Sequence, residues 1–558
     1  MNSALKIISG ALALALILGV LARPGKGMSL EQWAVGGRGF STAIVFLLTA
    51  GEVYTTFVFL GSSGYAYGHG GAAYYIIGYG SLSFVLSYWL LPPIWRFAKQ
   101  HDLISQPDFF AAKYRSSGLG VLTAIVGIVA LIPYLVLQLK GLGIVVSVAS
   151  YSELSATQGV WIGAGVIAIY VVVSGVHGSA WTSVVKDVLV ISVAVFLGLY
   201  LPIHYYGGIA PMFTTIEHMR PEFLALPAHG ESPVWLVSTV LLSTLGFYMW
   251  PHIFMATYTA KHEDALRRNA CVQPVYQLML LFILFVGFAA VLQVPGLKGS
   301  EIDLALLKIS LASFDPWFVG VIGAAGVLAA LVPGSMILMT ASTLLANNVY
   351  RIVRPGLSEA HIAASARLMA PCVMLVAIYF TLHGGQTIVS LLLMGYTLVT
   401  QLFPVLAASL MRNNLVTRPA AFAAISVGVA TVAFVSLTKS TIAGLFPFLP
   451  DALKDLNVGM VALVLNVLTL AVVTPLTRRP SAPPQAGSSR GNGYPGSWAV
   501  KSERYVVRYR RTRSPFRFSQ RLPRTRRCAR LCEPRACRRV HFSDLPVHHA
   551  GSGRAANW

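Results

Sequence analysis

Runs of apolar residues separated by short polar or basic connectors repeat along residues 1–479. Each is long enough to cross a hydrocarbon layer of ~30 Å as a helix. The pattern predicts thirteen spans, at about 4–22, 41–66, 73–95, 118–149, 157–174, 186–206, 234–257, 273–294, 317–346, 368–383, 387–411, 419–446 and 457–476. The first resembles a secretory leader. Arg23-Pro-Gly-Lys26 follows it in place of a small-residue cleavage site, so it is read as a span.

Composition fits this reading. Of 558 residues, 55% are hydrophobic and 11% charged, with a mean hydropathy of +0.67. Soluble domains carry about 25% charged residues. An ordinary cytosolic enzyme is therefore excluded, and a multi-pass protein of the cell membrane, surrounded by lipid, is expected. The charge is uneven. Residues 480–558 hold 17 Lys/Arg against Glu503, Glu533 and Asp544, whereas the body holds 25 Lys/Arg and 17 Asp/Glu. The tail has few aliphatics and reads as basic and disordered. Anionic lipid or nucleic acid could engage such a segment, but a solvated extension or the out-of-frame end of a gene has the same composition. It is assigned no function, and no nucleic-acid or obligate protein partner is expected. Five cysteines give no disulfide framework, and Cys528, Cys532 and Cys537 lack the paired spacing of a zinc site.

Basic residues orient the spans. With the N-terminus outside, 18 of the 25 body Lys/Arg fall in cytoplasmic loops, Lys186 among them. Lys6, Arg220, Lys298, Lys308 and Lys454 fall outside, and Lys140 and Lys439 lie within spans. An odd number of spans places the C-terminus inside.

Glycine interrupts two spans at matching places. The second reads Leu48-Thr-Ala-Gly51-Glu-Val-Tyr-Thr-Thr-Phe57, then Gly61-Ser-Ser-Gly64. The seventh reads Ser243-Thr-Leu-Gly246-Phe-Tyr-Met-Trp-Pro251-His252. Breaks in lipid-embedded helices are tolerated where protein or a cavity satisfies the freed backbone, and transporters place such breaks in corresponding positions of two repeats. Each break opens a block of five spans, 41–206 and 234–411, with the second inverted. Around them lie 1–40 (first span and cytoplasmic loop), 207–233 (external loop), 412–479 (two additional spans) and the 480–558 tail.

Several motifs make the chain resemble a sodium/solute symporter, of the group that carries proline, galactose, pantothenate and monocarboxylates. They are Gly36-Gly-Arg-Gly-Phe40, Gly51-Glu-Val-Tyr-Thr-Thr, Gly175-Val-His-Gly-Ser-Ala-Trp-Thr182, Pro251-His252 and Asn348-Val-Tyr350. The resemblance covers about 30–475, and Ile132-Pro-Tyr-Leu-Val-Leu-Gln-Leu-Lys-Gly141 looks most like monocarboxylate-type members. It implies an all-α polytopic fold, the LeuT-type five-helix inverted repeat with flanking helices. It also implies a sodium ion held by carbonyls at positions matching Gly51, Tyr54 and Ala329, and by two hydroxyls that fall here on Val332 and Pro333. Neither residue has a hydroxyl, and Ser335 could substitute only through a distorted turn. The family's Trp-Thr-Asp is Trp181-Thr182-Ser183 here. The coupling ion therefore stays open between sodium at a rearranged site and a proton, with uncoupled transport and a non-transporting relative as further alternatives.

Ionisable groups inside spans are expensive and usually functional. Glu52, beside the Gly51 break, is expected to carry a coupling proton or help to hold a cation. Gln138 matches a sugar-contacting position in relatives. Lys140 beside it could neutralise a substrate carboxylate and pair with Glu52 when the site is empty, or it could snorkel to the surface. Phe247 matches a cavity-lining aromatic, with Ser243 one turn earlier. Tyr134 and Tyr75 are further candidate lining, and Tyr396 and Gln401 could reach the same cavity. The expected function is secondary active import of a small organic anion, a short monocarboxylate, by alternating access. A transporter-like sensor is the alternative from another class. There is no nucleotide loop, no organic cofactor is expected, and the scattered histidines form no ligand or catalytic spacing.

Overall fold

The computed structural model describes residues 2–22 and 28–478, the side chain of Ala452 excepted. The basic tail, Arg23, Lys26 and Arg479 lie outside the described residues. The described chain is helical. Its one β-type contact is an isolated bridge between Phe40 and Ala260.

Helix α1 (Ser3–Leu21) is capped by the Asn2 side chain and followed by the short α2 (Leu30–Val35). The first broken helix comprises α3 (Thr42–Val53) and α4 (Ser62–His69), with one π-helical turn at Phe57–Gly61 between them. Then come α5 (Tyr75–Gln100), the short α6 (Gln106–Tyr114), α7 (Ser117–Ala149), α8 (Ala156–Tyr206) and the surface helix α9 (Ile209–Met219). The second broken helix is α10 (Pro233–Gly246) with α11 (Pro251–Tyr258). It is followed by α12 (Glu263–Gln277), α13 (Leu280–Gln293), α14 (Ala305–Ser313) and α15 (Pro316–Thr343). Four more apolar helices complete the body: α16 (Glu359–His383), α17 with α18 (Ile388–Val399, Phe403–Leu410), α19 (Arg418–Thr438) and α20 (Val458–Thr477).

Among the described residues, ten continuous helical segments are long and apolar enough to cross a membrane, and the bent pair α10–α11 makes eleven. Two segments exceed one crossing, Phe57–Gln100 at 44 residues and Ala156–Tyr206 at 51, against about 20 for one bilayer. Positive-φ glycines divide both. Gly70 (φ 53°) turns α4 into α5, and Gly175 (φ 55°, ψ −151°) interrupts α8. The Tyr170 hydroxyl lies 2.6 Å from Thr182 Oγ1. Twelve residues of unbroken helix would hold these groups roughly 18 Å apart, so α8 is a hairpin of two helices, α8a and α8b, meeting at Gly175. A side chain at Gly175 would strike Trp33, whose indole donates to Val171 O at 3.1 Å.

Helix α15 is the hub, with 94% of its most apolar stretch buried, against 22% for α1 and for α20. It packs on α1, α7 and α8 through small residues: a Cβ at Gly320 would meet Ala4, and one at Gly326 would meet Val145. Membrane helices associate in this way because close backbone approach, not water exclusion, drives their packing. The outer helices instead expose large apolar side chains such as Trp89, Leu368, Leu437 and Leu476, the surface a lipid-facing helix needs.

Candidate functional site

The first break exposes backbone that has to be satisfied elsewhere. Ser41 caps the N-terminus of α3. Its helical bonding ends at Tyr54, whose N–H donates to Ala50 O and whose ψ of 74° leaves the helix. Thr55 N turns to Val53 O at 2.9 Å, so Gly51 O loses its helical donor. Phe59 N donates to Thr55 O, four residues back, and the π-type bond, Ser62 N to Phe57 O, comes later, so neither reaches Tyr54 O. Both carbonyls point at one group. Lys186 Nζ donates to Gly51 O at 2.7 Å and to Tyr54 O at 3.1 Å.

Lys186 is fully buried, and Asp187 beside it is almost so, with Nζ 2.8 Å from Asp187 Oδ1. That last contact is too poorly aligned for a hydrogen bond, and neither Asp187 oxygen has another partner. The attraction is thus Coulombic. Lys186 stands ten residues beyond Val176 on α8b, roughly 15 Å along it. The expected cytoplasmic-loop position of Lys186 is therefore corrected. The polar Gly175–Ser183 stretch reads as a loop in sequence, whereas it is the start of α8b. Asp187 is thus a second buried acid within a span, beside Glu52.

Glu52 is also buried, and its carboxylate lacks a hydrogen-bond partner. It lies within electrostatic reach of Lys186 and Asp187, and 3.8 Å from His252 Nε2 on α11, too far for a hydrogen bond. Around it the two broken helices and α7 converge. Tyr134 OH donates to Glu52 O at 3.4 Å, and Gln138 Oε1 accepts from Thr56 N at 3.4 Å. The Tyr134 ring lies 4.8 Å from Trp250 and 5.1 Å from His252, centroid to centroid. Trp250 faces Tyr396 at 5.5 Å, and Tyr396 faces Tyr79 at 5.5 Å. Trp250 Nε1, Gln138 Nε2, Thr56 Oγ1, Ser243 Oγ and both His252 nitrogens are buried without a hydrogen-bond partner.

The second break is built differently. Phe247–Met249 form a single 3-10 turn, Trp250 is extended (ψ 123°), and Pro251, which lacks an N–H, starts α11 at a 49° bend. Gln106 Nε2 satisfies one loosened carbonyl, Met249 O, at 2.8 Å, and Thr400 Oγ1 donates at 3.2 Å to Leu242 O in the last turns of α10. Gly395 leaves room for Trp250, since a Cβ there would lie 2.2 Å from the indole.

Of the residues singled out by sequence, Gly51, Glu52, Tyr54, Tyr134 and Gln138 come together here. Phe247 sits one ring away, 6.4 Å from Tyr79, and Tyr75 lies 5.8 Å from Tyr79 on the other side. Tyr75 in turn faces Tyr65 and Trp235, which line a cavity of about 620 Å³ where Glu231 binds His69 at 2.9 Å. Lys140 is not paired with Glu52. It bonds Asp303 Oδ2 and Gln386 O, each at 2.7 Å, beside a cavity of about 550 Å³ lined by Pro133, Val136, Leu391 and Met394. Gln401 is taken up by Gly459 O and Asn466. Lys186, Asp187, His252 and Trp250 were absent from the sequence-based site. Adjacent opposite charges within the apolar stretch 176–206, and a Trp-Pro-His run at the second break, are the signals that could have found them.

The motifs of the resemblance lie in the framework around this centre. Phe40 bonds Thr259 and Lys261 through its backbone, tying the glycine-rich motif to the end of α11. Asn347 and Asn348, in the π-helical turn after α15, donate to Asp108 on α6. Burial holds the Asp108 carboxyl above its ordinary range, against hydrogen bonds from Ser105, Asn348 and the backbone of residues 104 and 105.

A model of the sodium:solute symporter family matches residues 33–428. The chain belongs to that family. It is 60% identical over 479 residues to YhjB, an uncharacterized symporter of Bacillus subtilis, covering 86% of this chain and 98% of YhjB. It is also 26% identical to a monocarboxylate transport permease of Rhizobium johnstonii, covering 69% and 78% of the two chains. Its fold is that of a Na+-coupled sialic acid symporter in an outward-open state, with a TM-score of 0.69 at 16% identity over 86% of this chain and 98% of that one. The family is one of multi-pass symporters, so ion-coupled solute transport, not enzymatic turnover, is the activity class, and the expected LeuT-type helical fold is borne out.

The residues present do not fit a sodium ion at the position implied by the resemblance. The Gly51 and Tyr54 carbonyls are taken by Lys186. Val332 and Pro333 offer no hydroxyl, and Ser335 bonds Ser179 Oγ at 2.8 Å and Val332 O at 2.6 Å. Ala329 O loses its own helical donor because Pro333 has no N–H.

Proposed function

We propose that the protein imports a short-chain monocarboxylate, with the binding site between the two breaks. One observation carries this reading. Three neutral donors (Trp250 Nε1, Gln138 Nε2 and Thr56 Oγ1) are buried without partners on the two broken helices and α7, and Ser243 Oγ on α10 is likewise unpartnered. Buried polar groups are almost always hydrogen-bonded, so a set left open around one centre fits a small polar solute that completes it. A carboxylate accepts several such bonds, and the buried ammonium of Lys186 adds an attractive field. Tyr134, Trp250, Tyr396 and Tyr79 would enclose the apolar part of the solute. The relative named as a monocarboxylate permease supports the same substrate class.

In this reading Tyr65, Tyr75 and Tyr79 form the way in from the His69–Glu231 side, which the loop charges assign to the outside. Phe247 and Tyr75 would line that path, and Lys140 would sit at its rim and not in the site. Thirteen crossings follow if both long segments are divided at their glycines and the bent pair is counted as one. Repeats 41–206 and 234–411 would then rock against each other to alternate access. Gradient-driven uptake into proteoliposomes of labelled pyruvate, lactate and acetate, with proline, galactose and sialic acid as controls, tests the assignment. Accumulation of a monocarboxylate is expected, with Trp250→Phe raising its KM at least several-fold. Accumulation of only a control solute would overturn it.

A further inference from the structure

We propose that the cation at the first break is supplied by the chain itself. The Lys186 ammonium replaces a metal ion there, and sodium has no place at this position in the working protein. The inference concerns the ion site of the transporter read above, and rests on that reading only for its meaning in the transport cycle.

The argument starts from what a break requires. Unwinding between Gly51 and Tyr54 frees two carbonyls in a water-poor interior, where an unpaired backbone group costs free energy comparable to a lost hydrogen bond. A cation can satisfy both at once. Here the ammonium lies 2.7 and 3.1 Å from the two oxygens and 2.8 Å from Asp187 Oδ1, so three oxygens of partial or full negative charge surround it. An ammonium has three N–H donors, and two of them are used along well-formed bonds. The close packing leaves little room for a second ion. A Cβ on Gly51 would lie 2.7 Å from Ser183 Oγ and 3.4 Å from Nζ itself. Burial adds support, because Lys186 is among the largest fully buried side chains of the molecule. A lysine in an apolar span commonly snorkels to the surface; this one turns to the break instead.

A tethered cation differs from a free one in a definite way. It is present at any sodium concentration, so occupancy of this position cannot report the sodium gradient. It also joins α8b to α3 through the loosened backbone, so movement of α3 away from α8b would leave the ammonium and two carbonyls unpaired together.

The test uses the purified full chain in detergent, with thermal unfolding followed in sodium chloride and in choline chloride at equal ionic strength. A ligand that binds the folded state raises its melting temperature. The wild type is expected to show no sodium-specific rise, whereas Lys186→Ala should melt several degrees lower in choline and recover part of the loss in sodium. A sodium-specific rise in the wild type, or a Lys186→Ala variant that melts like the wild type in choline, overturns the proposal. If the variant does not fold, the wild-type titration decides, backed by uptake with the sodium gradient clamped at zero. Either result is independent of solute identity. A sodium shift would sink this inference and leave monocarboxylate transport standing, whereas uptake of another solute without a sodium shift would do the reverse.

Discussion

Lys140 and Lys186 both lie within apolar helices, and each is paired with an aspartate. Lys186 is fully buried and bonds freed backbone at the break of α3. Lys140 keeps 19% of its side chain exposed and bonds Asp303 and Gln386 O, on segments between or beside the spans. The aspartates differ too. Asp303 also accepts from Ile388 N at 3.1 Å, whereas Asp187 has nothing but the lysine. The same pair of residue types thus does two jobs. One fastens connecting segments at a helix end, where the lysine keeps contact with water and the aspartate has a backbone partner besides. The other holds a discontinuous helix where nothing else can. Sequence distance from a loop does not tell them apart. What separates them is what the aspartate keeps once its lysine is gone: Asp303, though buried, still accepts from Ile388 N, whereas Asp187 keeps no partner.

The largest expected effect tests that difference directly. Lys186→Met strands Asp187 and both carbonyls in the interior and should cost about 3–5 kcal/mol of stability. Lys140→Met should cost less, because Asp303 keeps its bond from Ile388 N and no broken-helix carbonyl is stranded. Parallel denaturation of the two variants in detergent measures both, and equal losses would dissolve the contrast. A middle-sized effect comes from steric access to the break. Gly51→Ala places a methyl against Ser183 Oγ and should cost about 1–3 kcal/mol, as overpacking does. Adding Ser183→Gly should recover at least about 0.5 kcal/mol, the coupling expected of residues in contact. A double-mutant cycle in melting measures it, and strict additivity would show that the strain lies elsewhere. Smallest is the Lys140–Asp303 pair. Lys140→Gln, Asp303→Asn and the double variant should change KM for an anion by similar, modest factors, because each breaks one shared contact. A Lys140→Gln effect on an anionic solute far larger than that of Asp303→Asn would return Lys140 to the binding site.

Much of this was legible before any coordinates. Gly51 and Gly246 marked the two breaks because glycine and a following proline loosen helices in lipid, where any irregularity needs a reason. Glu52 was found on the same ground, as an acid beside a break, whereas Gln138 came from the resemblance to relatives and Tyr134 as a candidate aromatic lining. Lys186 was missed because Gly175, His177, Gly178 and Ser179 resemble a loop, and a lysine beside a loop reads as a surface charge. His252 was read as part of a family motif at the second break and not as a site residue, because nothing local tells that its ring faces Glu52 and Tyr134. Lys140 was left open between the site and the surface, and its pairing with Glu52 fails because it follows Gln138 by two residues, and positions two apart on a helix do not face the same way.

The sequence by itself determined that the chain is a bundle of membrane helices, where two of them break, and which motifs tie it to the symporter family. Apolar run length, glycine position and local motif are properties of neighbouring residues, so they need no partner to be read. Tertiary structure alone decided who satisfies the freed carbonyls. Gly51 and Lys186 are 135 positions apart, and only the packing of α8b against α3, permitted by the absent side chain of Gly51, brings the ammonium to the oxygens.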